Sequence, residues 1–206
     1  MDVARPYTVI CPTLDSGVLT VLAGTTRPLT GREIARLLGR PSHSGVLDTL
    51  NRLVEQGLVD REEAGRAFLF TLNREHLAAP AVEVLAHLRG ELLKRLRATI
   101  DSWDIAAVHV SLFGSAARGE GDTSSDIDLF IVRPEKVDSE DPRWREQLDL
   151  LARQVQRWTG NRAGIAEVSK AALDRIRKEK PPIVDELRAD AITITGTEAS
   201  TLLSES

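Results

Sequence analysis

Residues Leu14 to Ala23 are mostly apolar and run into GTTRPLT, a cluster of breakers that ends a first short helix. Thr30-Gly31-Arg32-Glu33 follows with the spacing of a capping box, in which Thr30 and Glu33 each satisfy a backbone N–H at a helix start. Ile34, Leu37 and Leu38 come next at helical spacing, and Gly39 stops the second helix. Beyond Arg40-Pro41, Ser42 or Ser44 can cap a third helix. Its apolar stripe is Val46, Leu47, Leu50, Leu53 and Val54, and Gly57 closes it. LVDREE and RAFLFTL, separated by Ala64-Gly65, then read as two strands around a turn.

The pattern changes after Pro80. Val82, Leu85, Leu88, Leu92, Leu96 and Ile100 recur at three- and four-residue steps, which predicts one long connecting helix over 82–103. Beyond it, strands and helices alternate. Strands are predicted at Ala107–Phe113, Ile127–Val132, Ala163–Val168 and Ala191–Thr195. A helix with Trp144, Leu148, Leu151, Val155 and Trp158 on one face lies between the second and third. Ser169 caps the helix after the third strand, Lys180-Pro181-Pro182 breaks it, and a short helix leads to the last strand. The expected organisation is a domain of three helices and a two-stranded hairpin over 1–81, a connecting helix over 82–103 and an α/β domain with a small mixed sheet over 104–206.

Composition narrows the class. An apolar content of 42% with 28% charged residues is that of a folded globular chain. The single Cys11 offers no disulfide framework or cysteine-rich zinc site. The apolar stretch near Met1 is short and interrupted, and no run approaches a membrane span, so the chain reads as cytoplasmic with no membrane partner. Net charge is −4, and residues 1–81 hold nine Arg and no Lys against nine carboxylates, a balance with no excess of either sign. His43, His76, His87 and His109 share no ligand spacing.

Three helices, the last two joined by a tight turn, followed by a two-stranded hairpin make a winged helix. The segment SGVLDTLNRLVEQGLVDREEAGRAFLFTLN resembles the third helix and wing of bacterial winged helix-turn-helix regulators. That resemblance, over about residues 12–76, implies a third helix in the major groove and a wing on the DNA backbone. Ser42, His43, Thr49 and Arg52 would then meet DNA from the helix, and Arg61 and Arg66 from the wing. Winged helices also serve as dimerisation and protein-docking modules, so a homodimer or a docked partner is the other expectation for this half.

The segment with the most chemistry runs from Leu112 to Leu129, LFGSAARGEGDTSSDIDL. A strand ends at Phe113, and Gly114-Ser115 open a helical turn where the backbone can approach phosphate closely. The Ser115 hydroxyl adds a donor, and Arg118, one turn on, can pair with an anion. Asp126 and Asp128 are two apart on a strand and share a face. Two such carboxylates raise each other's pKa unless a cation lies between them, and all-oxygen ligands suit Mg2+ or Mn2+.

This string matches the signature G-S-x-A-R-G…S-D-[IL]-D and resembles the DNA polymerase beta-like nucleotidyltransferase superfamily, especially its minimal members. The resemblance covers about residues 100–203 and implies the α/β (α+β) nucleotidyltransferase fold with its small mixed sheet. It implies that Gly114 and Ser115 hold the triphosphate, with Arg118 and Ser125 among the nucleotide contacts. Asp126 and Asp128 would hold the metal ions that support in-line attack on the α-phosphorus.

One position departs from that pattern. Active members place a third carboxylate on the next core strand, and the register puts Gly164 there. Glu167 is the only acid on that strand, and it differs from Gly164 by an odd step, so it faces the other way unless a bulge turns it round. Glu167 is therefore the candidate third catalytic carboxylate, with Asp126 and Asp128, only if the register shifts. The resulting expectation is a metal-dependent enzyme that transfers a nucleoside monophosphate, AMP from ATP, to an acceptor. Acceptors of small relatives include aminoglycosides and partner proteins, notably toxins of HEPN type. Two alternatives stand beside it: a winged-helix regulator whose second domain senses nucleotide, and an antitoxin-like interaction module.

Overall fold

The computed structural model describes residues 1–39, 41–179 and 181–204. Arg40 and Lys180, which the sequence places in the breaks before Pro41 and Pro181, lie outside them. The chain divides into two compact units, one of Arg5–Leu88 and one of Met1–Ala4 with Arg89–Ser206.

In the first unit, α1 (Leu14–Ala23) is followed by β1 (Leu29–Thr30), α2 (Gly31–Leu37), α3 (His43–Glu55), β2 (Val59–Ala64), β3 (Ala67–Leu72) and α4 (Ala79–Ala86). The capping box forms as its spacing requires: Glu33 N donates to Thr30 Oγ1 at 3.2 Å and Thr30 N to Glu33 Oε2 at 2.8 Å. These bonds, the Thr30 backbone N–H first, hold the Glu33 carboxyl at about 2. Of the two candidate serines, Ser42 caps α3, accepting from Gly45 N at 3.1 Å. The predicted hairpin gains a third strand, since β1 pairs antiparallel with β3 in the order β1-β3-β2. Val18, Leu22, Leu29, Ile34, Val46, Leu50 and Phe70 fill the core.

The second unit opens with α5 (Leu88–Asp101), its first residue belonging to the other unit, and continues through β4 (His109–Phe113), α6 (Gly114–Arg118), β5 (Ile127–Arg133) and α7 (Pro142–Thr159). It ends with β6 (Ala163–Ser169), α8 (Lys170–Glu179), α9 (Pro182–Asp190), β7 (Ile192–Gly196) and α10 (Ala199–Leu202). The sheet order is β6-β5-β4-β7, with β5 and β6 parallel and the other pairs antiparallel. This is the small mixed sheet the alternation predicted. One face packs Val110, Leu112, Ile127, Leu129 and Ile131 on α5 and α7, where Trp144 is fully buried. The other packs Phe130 and Val132 on α8, α9 and α10 through Leu173, Val184, Leu187 and Leu202.

The long helix predicted over 82–103 is two helices, α4 and α5, broken at His87. The His87 backbone leaves the helical region (φ −108°, ψ 18°), and its ring and N–H both turn to Glu83 O. Val82 and Leu85 pack in the first core, whereas Leu92, Leu96 and Ile100 pack in the second. The first residues also depart from the expected 1–81 segment: buried Val3 belongs to the core of α5 and α7. Trp103, Trp144 and Trp158 all lie in this second unit, and Trp103 meets Trp144 edge-on with ring centroids 5.6 Å apart. No helix among the described residues is long and apolar enough to cross a membrane.

Candidate active site

Strand β4 ends at Phe113, and Gly114 takes φ +66°, a left-handed value that turns the chain sharply into α6. Antiparallel pairing sets Phe113 opposite Asp128, so the Asp128 carboxylate stands at this turn. A side chain at 114 would place its first carbon 2.7 Å from Asp128 Oδ2. Parallel pairing sets Asp128 opposite Gly164, where a first side-chain carbon would lie 2.5 Å from Asp128 Oδ1 and 3.8 Å from Asp126 Cβ. Asp128 therefore sits half-buried in a slot between two glycines, with Asp126 exposed beside it.

Burial pushes the Asp128 carboxyl above its ordinary range, and the charges of Asp126 and Glu186 push it further. Glu186 lies on α9, which packs against α6 and β4. Arg118, at the end of α6, donates to Glu120 Oε2 at 2.8 Å and to Asp190 Oδ2 at 3.3 Å, so Asp190, one helical turn past Glu186, ties α9 to α6. Glu186 is thus a third acid felt at the site, and no strand pattern pointed to it. Among the described residues, no group of three or more His, Cys, Asp or Glu is placed to hold a metal ion. An ion at Asp126 and Asp128 would need further oxygens, which water and phosphate supply; magnesium is commonly bound that way.

Glu167 does not join them. The β5–β6 register runs unbroken from Ile127 opposite Ala163 to Arg133 opposite Ser169, with no bulge to turn Glu167 round. Its carboxylate accepts from Arg133 Nε at 2.5 Å and Trp144 Nε1 at 3.3 Å, on the face of the sheet that packs α7. The two side chains are only 12% and 16% exposed, which makes this a largely buried structural ion pair.

The loop between Gly114 and Asp126 is heavily tied. Asp122 accepts from the N–H and hydroxyl of both Ser124 and Ser125, at 2.8–3.0 Å. These bonds, the Ser124 hydroxyl first, hold its carboxyl at about 2. The Ser125 hydroxyl is thereby committed to the turn, where it also accepts from Asp122 N at 3.0 Å. Buried Asn161 donates to Asp122 O at 2.9 Å and Ser125 O at 2.8 Å. Arg89 donates to Ala116 O at 3.2 Å and to Ala117 O, capping the short helix α6. Ser115 is half-buried, its Oγ 3.4 Å from where a side chain at Gly121 would start. Asn161 and Arg89 carry no motif, and their roles come from long-range packing alone.

In the first unit the residues expected at DNA separate into two sets. His43 and Arg66, joined by Arg32, line a cleft of about 600 Å³ floored by Leu47, Phe68 and Phe70. Arg52 is instead ion-paired with Asp15 of α1, and Arg61 stacks over the Phe68 ring at 4.7 Å. Ser42 is spent on its cap and Thr49 is half-buried, while Asp48 and Glu55 are exposed on α3.

Two family models match the chain: that of the nucleotidyltransferase domain over residues 93–194, and that of the penicillinase repressor over residues 14–100. No curated protein matches. Among solved structures, RV1404 from Mycobacterium tuberculosis is 21% identical, covering 47% of this chain and 67% of its own, with a TM-score of 0.34. A toxin–antitoxin bound to AMP-PNP is 15% identical (56% of this chain, 80% of that one, TM-score 0.35). A mutant of the toxin–antitoxin MntA-HpeT is 14% identical over the same shares, also with a TM-score of 0.35. The chain thus joins a nucleotidyltransferase domain, carrying the Gly114–Asp128 site, to an N-terminal winged helix of the penicillinase-repressor type.

Proposed function

We propose that the second unit transfers a nucleoside monophosphate, AMP from ATP, to an acceptor hydroxyl, with Mg2+ or Mn2+ held by Asp126 and Asp128. The observation that carries this reading is the contact of Asp128 with the Gly114 turn. The carboxylate that would bind metal and the backbone that would bind phosphate are neighbours, with only a glycine hydrogen between them. A divalent ion there would polarise the phosphorus and neutralise the leaving charge. Gly114 and Ser115 would orient the triphosphate for in-line displacement. The acceptor oxygen bonds to the α-phosphorus, the bond to the β-phosphate oxygen breaks, and pyrophosphate leaves. The acceptor proton passes to solvent or to a nearby acid; beyond Asp126, Glu186 is an acid whose charge reaches Asp128.

The test is incubation of the purified protein with labelled NTPs, magnesium and a cell lysate. Label should move to a discrete acceptor, most from ATP. Transfer should vanish, and metal-dependent ATP binding with it, when Asp126→Asn and Asp128→Asn are combined. That double variant should melt level with or above the parent, because it removes a like-charge pair. Unchanged ATP affinity in calorimetry would sink the assignment.

A second reading is favoured by Gly164 and by the turning away of Glu167. With no third acid on β6 facing the pair, the site would bind nucleotide without turning it over, and the winged helix would report its presence. A wild type that binds Mg·ATP but labels no acceptor selects this reading. In either case the first unit would bind duplex DNA as a dimer, its charge balance being too even for one copy to hold DNA tightly. The cleft of Arg32, His43 and Arg66 is the set best placed to meet phosphate.

A further inference from the structure

The chain passes between its two units twice, at Ala4–Arg5 and at Leu88–Arg89. Both crossings are tied to the same loop. On one side, Val3 N and Ala4 N donate to Gly121 O at 2.8 and 3.1 Å. On the other, Arg89 donates from Nε and Nη2 to Ala116 O and Ala117 O. Its guanidinium carbon also lies 3.9 Å from where a side chain at Gly119 would start. The Met1 amino group completes the first anchor, donating to Thr159 O at 2.5 Å and to Asn161 Oδ1; Asn161 in turn holds Asp122 O and Ser125 O.

The bonds of Val3, Ala4 and Arg89 therefore all fall on the segment between Gly114 and Asp126, and Met1 reaches it through Asn161. Within it, α6 is bracketed by Gly114 (φ +66°) and Gly119 (φ +71°). These backbone values are open to glycine, and paired glycines can absorb a change of dihedral angle when the helix between them moves. Arg89, at one crossing, is thus hydrogen-bonded to an element with a pivot at each end, and Ala4, at the other, is bonded to Gly121, two residues past the second pivot.

We infer that these two anchors couple the winged helix to the nucleotide loop, so that nucleotide at Gly114–Asp128 alters the winged-helix unit and a partner of that unit alters nucleotide affinity. The inference rests on the loop binding nucleotide, as proposed above. Coupling of this kind is reciprocal: whatever factor one ligand imposes on the other's affinity is returned in full. It requires no contact between the units beyond the chain itself, because Ala4 and Arg89 are anchored at the crossings themselves.

The experiment is hydrogen exchange, read by mass spectrometry, on the full chain with and without magnesium and a non-hydrolysable ATP analogue. In the parent, nucleotide should slow exchange across residues 109–133 and change it across residues 5–88 by about fivefold or more. Arg89→Met removes both carbonyl bonds but keeps an apolar stem, and Ala4→Pro removes one N–H from Gly121 O. In the combined variant, saturating nucleotide should still protect 109–133 while the response of 5–88 falls well below the parent's, the bonds of Val3 and Met1 being left in place. Should the combined variant fail to fold, each single variant must weaken that response. The coupling is overturned if the parent protects 109–133 with no change in 5–88, or if the response survives undiminished in the variants. Absence of protection at 109–133 in the parent would instead bring down the nucleotide reading, and the coupling with it.

Discussion

Asp128 Oδ1 lies 2.5 Å from the point where a side chain at Gly164 would begin, so the carboxylate of β5 fills the space that an acid on β6 would occupy. The missing side chain and the placement of Asp128 are one arrangement. Gly164→Asp would set a third acid on the same face as Asp126 and Asp128. In metal-free buffer it should lower the melting temperature through crowding and like-charge repulsion, at a cost of about 1–3 kcal/mol. Millimolar magnesium without nucleotide should restore much of that loss, and should leave the parent unmoved. Thermal melts with and without magnesium check both halves.

Asp122 gives a pH signature. Its carboxyl is held at about 2, well below its value in an unfolded chain, so its bonds to Ser124 and Ser125 stabilise the fold above the unfolded pKa. That contribution is lost as pH falls from about 4 through about 2. Asp122→Ala should therefore melt lower than the parent at pH 7, and the two curves should converge toward the acid end of that window. Equal melting of the two at pH 7 would mean the turn is held by Asn161, whose bonds go to main-chain carbonyls that the substitution keeps, rather than by the carboxylate.

Glu167 should behave as a structural residue. Glu167→Gln leaves Arg133 without its anion in a largely buried place, which costs about 2–3 kcal/mol. Affinity for Mg·ATP, measured at a temperature where the variant is fully folded, should match the parent. A large loss of nucleotide affinity with unchanged stability would return Glu167 to the metal site.

The two sets of arginines in the winged helix should part in a salt titration. Arg66→Ala should make the dependence of DNA binding on salt shallower by about one unit of log–log slope. Arg52→Ala should leave the slope alone and instead lower stability, because its guanidinium serves Asp15. Equal effects on slope would show that the Arg52 pair opens on DNA.

Much of this was legible in the residues, and the parts that were not have physical reasons. Thr30 and Glu33 act over three residues, so their box could be read directly. The Gly114–Asp128 string fixes a turn and a strand that need only local geometry, and the odd step between Gly164 and Glu167 decided the face of Glu167 once the register ran without a bulge. The break at His87 was invisible because Val82 and Leu85 belong to one core and Leu92 and Leu96 to another, yet all keep helical spacing. Strand β1 has two residues, too few to alternate. Glu186, Arg89 and Val3 reach the site or its loop from far along the chain, and periodicity carries no record of such contacts.

The distribution of aromatic residues has a practical side. All three tryptophans belong to the unit that holds Gly114, Asp126 and Asp128, and the chain's one tyrosine, Tyr7, is buried in the other. Fluorescence excited at the red edge of the absorption band, where tyrosine does not absorb, therefore reports on one unit alone, whereas far-ultraviolet circular dichroism sees the helices of both. A single unlabelled sample, melted once and followed by both signals, can tell whether the halves come apart together or in turn.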